Sequence, residues 1–136
     1  MNKILLDTNS YVAFKRGEDA ALDIVRSGEF LVLSTVVIGE LLAGFAAGRR
    51  ETDNRRELTA FLDSPRVRVL GVDIKTADFY VVVWMQLRRK GKPIPSNDLW
   101  IAATALQHGL AVFTYDQHFQ DIDGLRTGTV PADFLP

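Results

Sequence analysis

The chain has 136 residues, of which 47% are hydrophobic and 24% charged, with a formal net charge of -1 at pH 7 and no cysteine. This balance is typical of one globular domain, expected here over residues 1–136, and it excludes a disordered or fibrous chain. The lack of cysteine excludes disulfide bonds and thiolate metal sites, and the near-neutral charge excludes a global basic field, although local patches can still bind nucleic acid.

The N-terminal stretch MNKILLD places three apolar residues before Asp7. An export signal needs a hydrophobic region of about 7 to 15 residues. No apolar run approaches the roughly 20 residues of a membrane-spanning helix. We therefore expect a cytoplasmic protein without a membrane anchor.

Hydrophobic patterning in the first part of the chain predicts alternating strands and helices. KILL is a short apolar run typical of a strand buried on both faces. A helix is expected in TNSYVAFKRG, with Thr8 or Asn9 as the N-cap and Gly17 as its end, followed by a helix over residues 19–26. FLVLS predicts a strand, and Ser34 is expected to cap a helix in TVVIGELLAGFAAG.

The second part of the chain continues the alternation. A charged segment is expected to be helical from about Thr52 and to end at Ser64 and Pro65, before a strand in VRVLGV. Asp73 is expected to cap a long helix in TADFYVVVWMQLRRKG. The segment IPSNDLWIAATAL predicts a helix capped by Ser96 or Asn97. A strand in LAVFT, a helical turn in DQHFQDI and a short strand in GLRTG complete the chain.

Regular alternation of strands and helices predicts an α/β fold, in which helices cover both faces of a parallel central sheet of about four to five strands in a Rossmann-like three-layer arrangement. In such sheets ligands bind beyond the carboxyl ends of the strands. We therefore expect the reactive side chains at the carboxyl ends of the strands.

Four acidic residues are the candidates for chemistry. Asp7 directly follows the first predicted strand, and Asp116 follows AVFTY. Asp98 lies on the apolar face of its helix, because Ile101, Ala102 and Ala105 fall within about 60° of its direction. Glu40 lies on a helix that is apolar nearly all round, so this helix should be largely buried against its own core or a second subunit.

Each acid also has a simpler interpretation. An aspartate after a strand is commonly a helix cap, which applies to Asp7, and the helix dipole favours an acid such as Asp98 in a first turn. Glu40 is harder to explain, because no Lys, Arg or His lies within one turn of it and a buried carboxylate needs a partner.

Convergence of the four carboxylates would be costly without a cation. At about 5 Å and an effective dielectric constant near 20, each pair repels by about 3 kcal/mol. Either some carboxylates are protonated or a cation holds them together. Oxygen ligands suit Mg²⁺ or Mn²⁺, which can activate water and neutralise a phosphoryl group. Thr114 can place a hydroxyl in the same cleft.

Several motifs together resemble the PIN domain, and within it the VapC type of toxin ribonuclease from bacterial toxin-antitoxin pairs. They are LLDTN, STVVIGELLAG, IPSNDLWIAATALQHGLAVFTYDQHF and GLR, and they span nearly the whole chain. The resemblance implies a metal-dependent endoribonuclease that uses Mg²⁺ or Mn²⁺, forms a homodimer, and is neutralised by an antitoxin that occupies the cleft.

The same resemblance assigns roles to individual residues. The acidic quartet, expected to be catalytic and to hold the metal, is Asp7, Glu40, Asp98 and Asp116. Direct metal ligation is expected first of Asp7 and Asp98. Supporting polar positions are matched by Thr8, Asn9 and Thr114. One departure is Tyr115, where the family commonly has Asn or a charged residue.

Basic side chains are candidates for binding RNA phosphates. They cluster in RRETDNRR and LRRKGK, and the candidates are Arg49, Arg50, Arg88, Arg89 and Lys92. The alternative is that these are solvated cations, in LRRKGK favoured by the dipole at a helix end. His118 lies two residues after Asp116, and we interpret it as a loop histidine rather than a metal ligand.

Two other functions remain open. One is an aspartyl-phosphate protein, phosphatase-like or receiver-like, with Asp7 or Asp73 as the phosphate acceptor, although DTN and TYD supply neither the second acid nor the strand-end lysine that it needs. The other is a catalytically silent protein-binding module that retains the quartet as a vestige. Metal titration separates these, because a silent module need not bind Mn²⁺.

Overall fold

Residues 3–135 are the part of the chain described by the computed structural model, and they form five strands and six α-helices in alternation. Met1, Asn2 and Pro136 of the predicted domain lie outside the described residues. The elements in chain order are β1 Lys3–Leu6, α1 Thr8–Lys15, α2 Asp19–Ser27, β2 Phe30–Ser34, α3 Thr35–Ala47, α4 Glu51–Leu62, β3 Val67–Leu70, α5 Ile74–Lys90, α6 Ser96–His108, β4 Ala111–Phe113 and β5 Thr127–Gly128. Short 3-10 turns at Gln117–Asp121 and Pro131–Phe134 flank β5.

All strand pairs are parallel, in the order β3-β2-β1-β4-β5. The central strand β1 contributes Ile4, Leu5 and Leu6, each with an exposed fraction of 0%. Because successive strand residues point to opposite faces, both faces of β1 are covered. The predicted α/β fold with a parallel central sheet is therefore confirmed.

Two predicted helix caps are wrong. The N-cap of α1 is Asp7 rather than Thr8 or Asn9, because the Asp7 side chain accepts a hydrogen bond from the Ser10 backbone N–H. At α6 the N-cap is Pro95, which offers no side-chain acceptor, and Ser96 is already the first helical residue. The predicted caps Ser34 of α3 and Asp73 of α5 are confirmed by their bonds to backbone N–H groups.

Helix α3 is less buried by its own chain than its apolar sequence suggests. Only Val37 and Leu41 are buried, whereas Ala43 and Ala46 are exposed. Of the two expected alternatives, burial against its own core is therefore wrong, and burial against a second subunit stays a prediction. One side of α3 packs on α1, α4 and α6, and the remaining sides are open.

Exposed apolar side chains also lie just before α5 and along its first half. Val72 is 43% exposed, Ile74 86% and Val82 52%. At 17 residues α5 is the longest helix of the described chain. No helix within residues 3–135 is long and apolar enough to cross a membrane.

Tyr11 of α1 is expected to tolerate loss of its hydroxyl. Its side chain is 2% exposed, and its Oη has no hydrogen-bond partner within residues 3–135. Burial, together with the charge of Glu57, raises its pKa to about 12. An unpartnered buried hydroxyl is destabilising, so Tyr11→Phe should raise the free energy of unfolding by up to about 1 kcal/mol. A thermal melt that shows a drop of several degrees instead would reveal a partner for the hydroxyl.

Candidate metal centre and active site

Asp7 and Asp116 lie beyond the carboxyl ends of neighbouring strands. Leu6 of β1 pairs with Phe113 of β4, and the Asp7 N–H donates to the Phe113 carbonyl over 3.3 Å. Asp116 follows β4 by three residues, and its N–H donates to Thr114 Oγ1 over 3.0 Å. Both acids therefore lie at the edge of the sheet where ligands bind in α/β folds.

Asp7 is held in place by the first turn of α1. Its Oδ1 accepts the Ser10 N–H at 3.0 Å, and the Ser10 hydroxyl lies 2.8 Å from the same oxygen. That hydroxyl is also 2.6 Å from the Phe113 carbonyl oxygen, so Ser10 joins α1 to the end of β4. Asp7 is 7% exposed. Its first oxygen is thus committed to capping α1, and its second oxygen has no such bond within the described residues.

Glu40 connects two helices. Its Oε1 accepts from Thr8 Oγ1 at 2.9 Å, and its Oε2 accepts from Asn97 Nδ2 at 2.8 Å. Thr8 begins α1, and Asn97 lies in the first turn of α6 beside Asp98. The partner that a carboxylate on an apolar helix requires is therefore supplied from distant parts of the chain.

One group of side chains can hold a metal ion. Ligand atoms of Asp98, Asp116 and His118 lie within 4.8 Å of one another. Asp116 Oδ1 accepts the His118 N–H at 2.9 Å and lies 3.1 Å from His118 Nδ1. The Asp98 carboxylate forms no hydrogen bond with other residues of the described chain, so both of its oxygens can bind a ligand.

The charges of the quartet meet at Asp98. Partial burial, followed in importance by the negative charges of Asp116, Glu40 and Asp7, raises the pKa of Asp98 from 3.8 to about 6. The charge of His118 acts in the opposite direction. A bound cation would remove this repulsion, because it favours the charged form of the carboxylate.

The raised pKa of Asp98 makes a pH-dependent contribution to stability. Folding moves this pKa from 3.8 to about 6, so the folded state binds more protons than the unfolded state between those values. The penalty is fully present above pH 6 and disappears as the pH falls toward 4. In EDTA we therefore expect Asp98→Asn to melt at a higher temperature than the wild type, with a gap that closes on acidification. A gap that widens toward pH 4 would contradict this assignment.

The supporting polar residues have different environments. Thr8 binds Glu40, and Thr114 is 4% exposed and accepts from the Asp116 backbone. Asn9 is exposed, and its side chain forms no hydrogen bond within residues 3–135; it lines a separate shallow pocket with Tyr115.

Three residues of the site were not assigned by the sequence analysis. Ser10 had a usable signal, because it lies three residues after Asp7, the spacing of a helix cap. For His118 the signal was its position two residues after Asp116. Asn97 had none, because its partner Glu40 is 57 residues away in the chain.

The predicted phosphate-binding residues are spread over several surfaces. Arg50 lines a groove of about 430 Å³ between α1, α3 and α4, together with Thr8 and Glu40 of the site. Lys15 and Arg16 line the same groove. The remaining candidates do not line this groove. Arg49 and Arg89 are exposed, Lys92 pairs with Asp121 at 3.2 Å, and Arg88 lies over the ring of Trp84.

Asp73, the alternative phosphate acceptor, is engaged in capping. Its Oδ1 accepts from the Thr76 N–H at 3.1 Å and from Gln107 Nε2 at 3.0 Å. These bonds, that of the Thr76 backbone above all, lower the pKa of Asp73. Gln107 lies nine residues along α6 from Asp98, so Asp73 is remote from the acidic cluster.

Comparison with known proteins identifies relatives of this chain. The family model of the PIN domain matches residues 4–125. Ribonuclease VapC5 of Mycobacterium tuberculosis is 32% identical over 121 residues, covering 88% of this chain and 87% of that protein. The DNA-bound VapBC structure from Salmonella typhimurium has a TM-score of 0.81 at 27% identity, covering 94% and 98% of the two chains. VapBC-5 of Mycobacterium tuberculosis, from the VapBC family of toxin-antitoxin systems, has a TM-score of 0.70 at 28% identity, covering 94% and 97%.

Proposed function

The chain belongs to the PIN-domain family, and from this premise we propose that it is a Mg²⁺- or Mn²⁺-dependent endoribonuclease, the toxin of a toxin-antitoxin pair. The observation that carries the proposal is the group formed by Asp98, Asp116 and His118, beside which Glu40 and Asp7 place two further negative charges. The relative named ribonuclease supports the same activity.

The donor set of the cleft fits a hard divalent cation. Carboxylate oxygens predominate, and the part of the chain that the structure describes offers one histidine nitrogen beside them. Such a set suits Mg²⁺ or Mn²⁺, and the nitrogen favours Mn²⁺ over Mg²⁺. A cation held there supplies charge that neutralises a phosphoryl group and activates water for attack on it.

In this proposal the residues of the chain have distinct roles. Asp98 and Asp116 hold the cation, and Asp7 presents its uncapped oxygen from the end of β1. Glu40 fixes the first turns of α1 and α6 against each other through Thr8 and Asn97. Arg50, with Lys15 and Arg16, guides the RNA backbone along the groove that leads from Glu40.

The proposal includes two protein partners. An antitoxin would neutralise the enzyme by placing a cation such as an arginine in the acidic cleft, because guanidinium pairs well with carboxylates. The relative from the VapBC family of toxin-antitoxin systems supports this partner. A homodimer would cover exposed apolar side chains such as Ile74 and Val82. Because the proposed substrate is RNA, we propose that the enzyme acts in the cytoplasm.

Cleavage of total RNA tests the proposal. The purified protein should cut RNA in Mn²⁺ and not in EDTA. Asp98→Asn and Glu40→Gln should both lose activity, whereas Asp78→Asn, which removes an exposed acid from α5 outside the cleft, should retain it. Cleavage that survives EDTA and both substitutions would exclude the metal-dependent mechanism, and failure to bind Mn²⁺ would favour a silent protein-binding module.

A further inference from the structure

A second groove lies between α5 and the beginning of α6, on a part of the surface that the acidic cleft does not include. Its volume is about 490 Å³, within the range of pockets that bind small organic ligands. We call it the Trp84 groove. Its principal lining residues are Tyr80, Trp84, Arg88, Pro93, Ile94 and Leu99.

The walls of the Trp84 groove combine an accessible aromatic ring with a cation. Trp84 is 41% exposed, and the Arg88 guanidinium lies 5.0 Å from the centre of its ring. Arg88 forms no ion pair within residues 3–135, whereas the nearby Lys90 is paired with Asp123 at 2.6 Å. The groove therefore presents the part of the Trp84 ring that Arg88 leaves accessible, with one unneutralised positive charge lying over that ring.

The groove is supported from behind. Tyr80 contacts Trp100 of α6 in a tilted arrangement, with ring centres 4.3 Å apart and an angle of 40° between the rings, so a second aromatic ring supports this wall of the groove. Pro93 has a fixed φ angle and stiffens the connection between the two helices. A planar ligand can bind to such a wall without a large loss of side-chain entropy.

The Trp84 groove and the acidic cleft share the first turn of α6. Ser96 and Leu99 line the groove, and Asn97 and Asp98 lie between them in sequence. Successive helix residues are 100° apart, so Asp98 projects to another side of the same turn. The distance between the Trp84 groove and the Asp98 side chain is about one helix diameter, on the order of 10 Å. A stacked strand advances by about 3.4 Å per nucleotide, so about three nucleotides span this distance.

We infer that the Trp84 groove binds an unpaired nucleobase of the RNA, stacked on Trp84, with an adjoining phosphate paired to Arg88. The inference rests on the proposed ribonuclease function, and it deepens that function by assigning a base-binding subsite outside the acidic cleft. Stacking on aromatic side chains and on arginine is the usual way in which proteins bind unpaired bases. The groove then holds an unpaired base of any type at a fixed distance from the cut.

Tryptophan fluorescence tests this assignment directly. The chain has two tryptophans, so Trp100→Phe leaves Trp84 as the only one while retaining a ring against Tyr80. In EDTA, where cleavage is off, octaadenylate and octauridylate should quench Trp84 saturably, and an abasic octamer of equal charge should not. In fluorescence anisotropy of end-labelled octamers, which needs no tryptophan in the protein, Trp84→Ala should weaken binding about 10-fold, and Trp84→Phe should weaken it less. Arg88→Gln should also weaken binding, whereas Arg26→Gln, with the same charge change on α2, should not.

The inference would be overturned if the abasic octamer quenched Trp84 equally, or if Trp84→Ala bound RNA with unchanged affinity. It would also be overturned if Trp84→Ala formed a smaller oligomer in light scattering, because the groove would then be a protein interface. Cleavage of total RNA in Mn²⁺ separates this failure from failure of the proposed function. If the wild type cleaves and Trp84→Ala gives the same cut sites, only the inference fails. If the wild type does not cleave but bases quench Trp84, the proposed function fails and the groove remains a single-strand binding site.

Discussion

Asp98→Asn is expected to lower the rate of RNA cleavage by at least about 10³-fold and, at the same time, to stabilise the metal-free protein. Activity is lost because a cation ligand is removed. Stability rises because the Asp98 carboxylate is partly buried and lies near the charges of Asp116, Glu40 and Asp7, which together raise its pKa to about 6. With allowance for partial exposure, we expect a gain of roughly 1 to 2 kcal/mol, or about 3 to 6 °C in melting temperature.

The matched control is Asp78→Asn, which removes the same charge from an exposed position on α5. It should change neither the cleavage rate nor, beyond about 0.5 kcal/mol, the stability. Thermal melts in EDTA and with Mn²⁺ separate the two effects: Mn²⁺ should stabilise the wild type but not Asp98→Asn. A metal-free melting temperature that falls on Asp98→Asn substitution would contradict the charge-repulsion account.

Substitutions at Asp7 are expected to separate capping from catalysis. Asp7→Asn retains a good N-cap for α1, because asparagine caps as well as aspartate, but it removes the charge from the cleft. Asp7→Ala also removes the cap and should be about 1 kcal/mol less stable than Asp7→Asn. Both variants should lose at least about 100-fold in cleavage rate, because several kcal/mol of transition-state stabilisation depend on the cation site.

Asp73 provides the control for this pair, because it caps α5 in the same manner but lies far from the cleft. Asp73→Ala should be less stable than Asp73→Asn, and both should cleave RNA at the wild-type rate. Full activity of Asp7→Asn would mean that Asp7 acts only as a helix cap. Loss of activity in Asp73→Asn would instead mean that Asp73 affects the cleft as well as capping α5.

The fold could be predicted from local patterns. Apolar runs such as KILL and FLVLS, the cap at Ser34 and the cap at Asp73 identify elements by interactions that lie within a few residues of each other. The order of the strands could not be predicted in this way, because β1 pairs with β2 and β4 through contacts between distant segments. The two-residue strand β5 was anticipated only as part of GLRTG.

The site was predicted less completely, for a related physical reason. The acids stood out because they interrupt apolar surroundings or follow strands. Their geometry depends on Ser10 and Asn97, whose partners Phe113 and Glu40 are 103 and 57 residues away. His118 was interpreted as a loop histidine, yet its ring nitrogen lies within the group that can hold a metal. The cap of α1 has a different origin, because Asp7 both follows a strand and caps a helix through the nearby Ser10.

The most direct test of the account is the rate of cleavage of one purified RNA as a function of Mn²⁺ concentration, with Mn²⁺ occupancy of the wild type measured in the same samples by electron paramagnetic resonance. We predict that the rate rises in proportion to occupancy, and that Asp98→Asn shows neither binding nor cleavage over the same range. Cleavage that is already maximal in EDTA, or Mn²⁺ binding that is unchanged in Asp98→Asn, would contradict the assignment of this acidic cluster as the catalytic metal site.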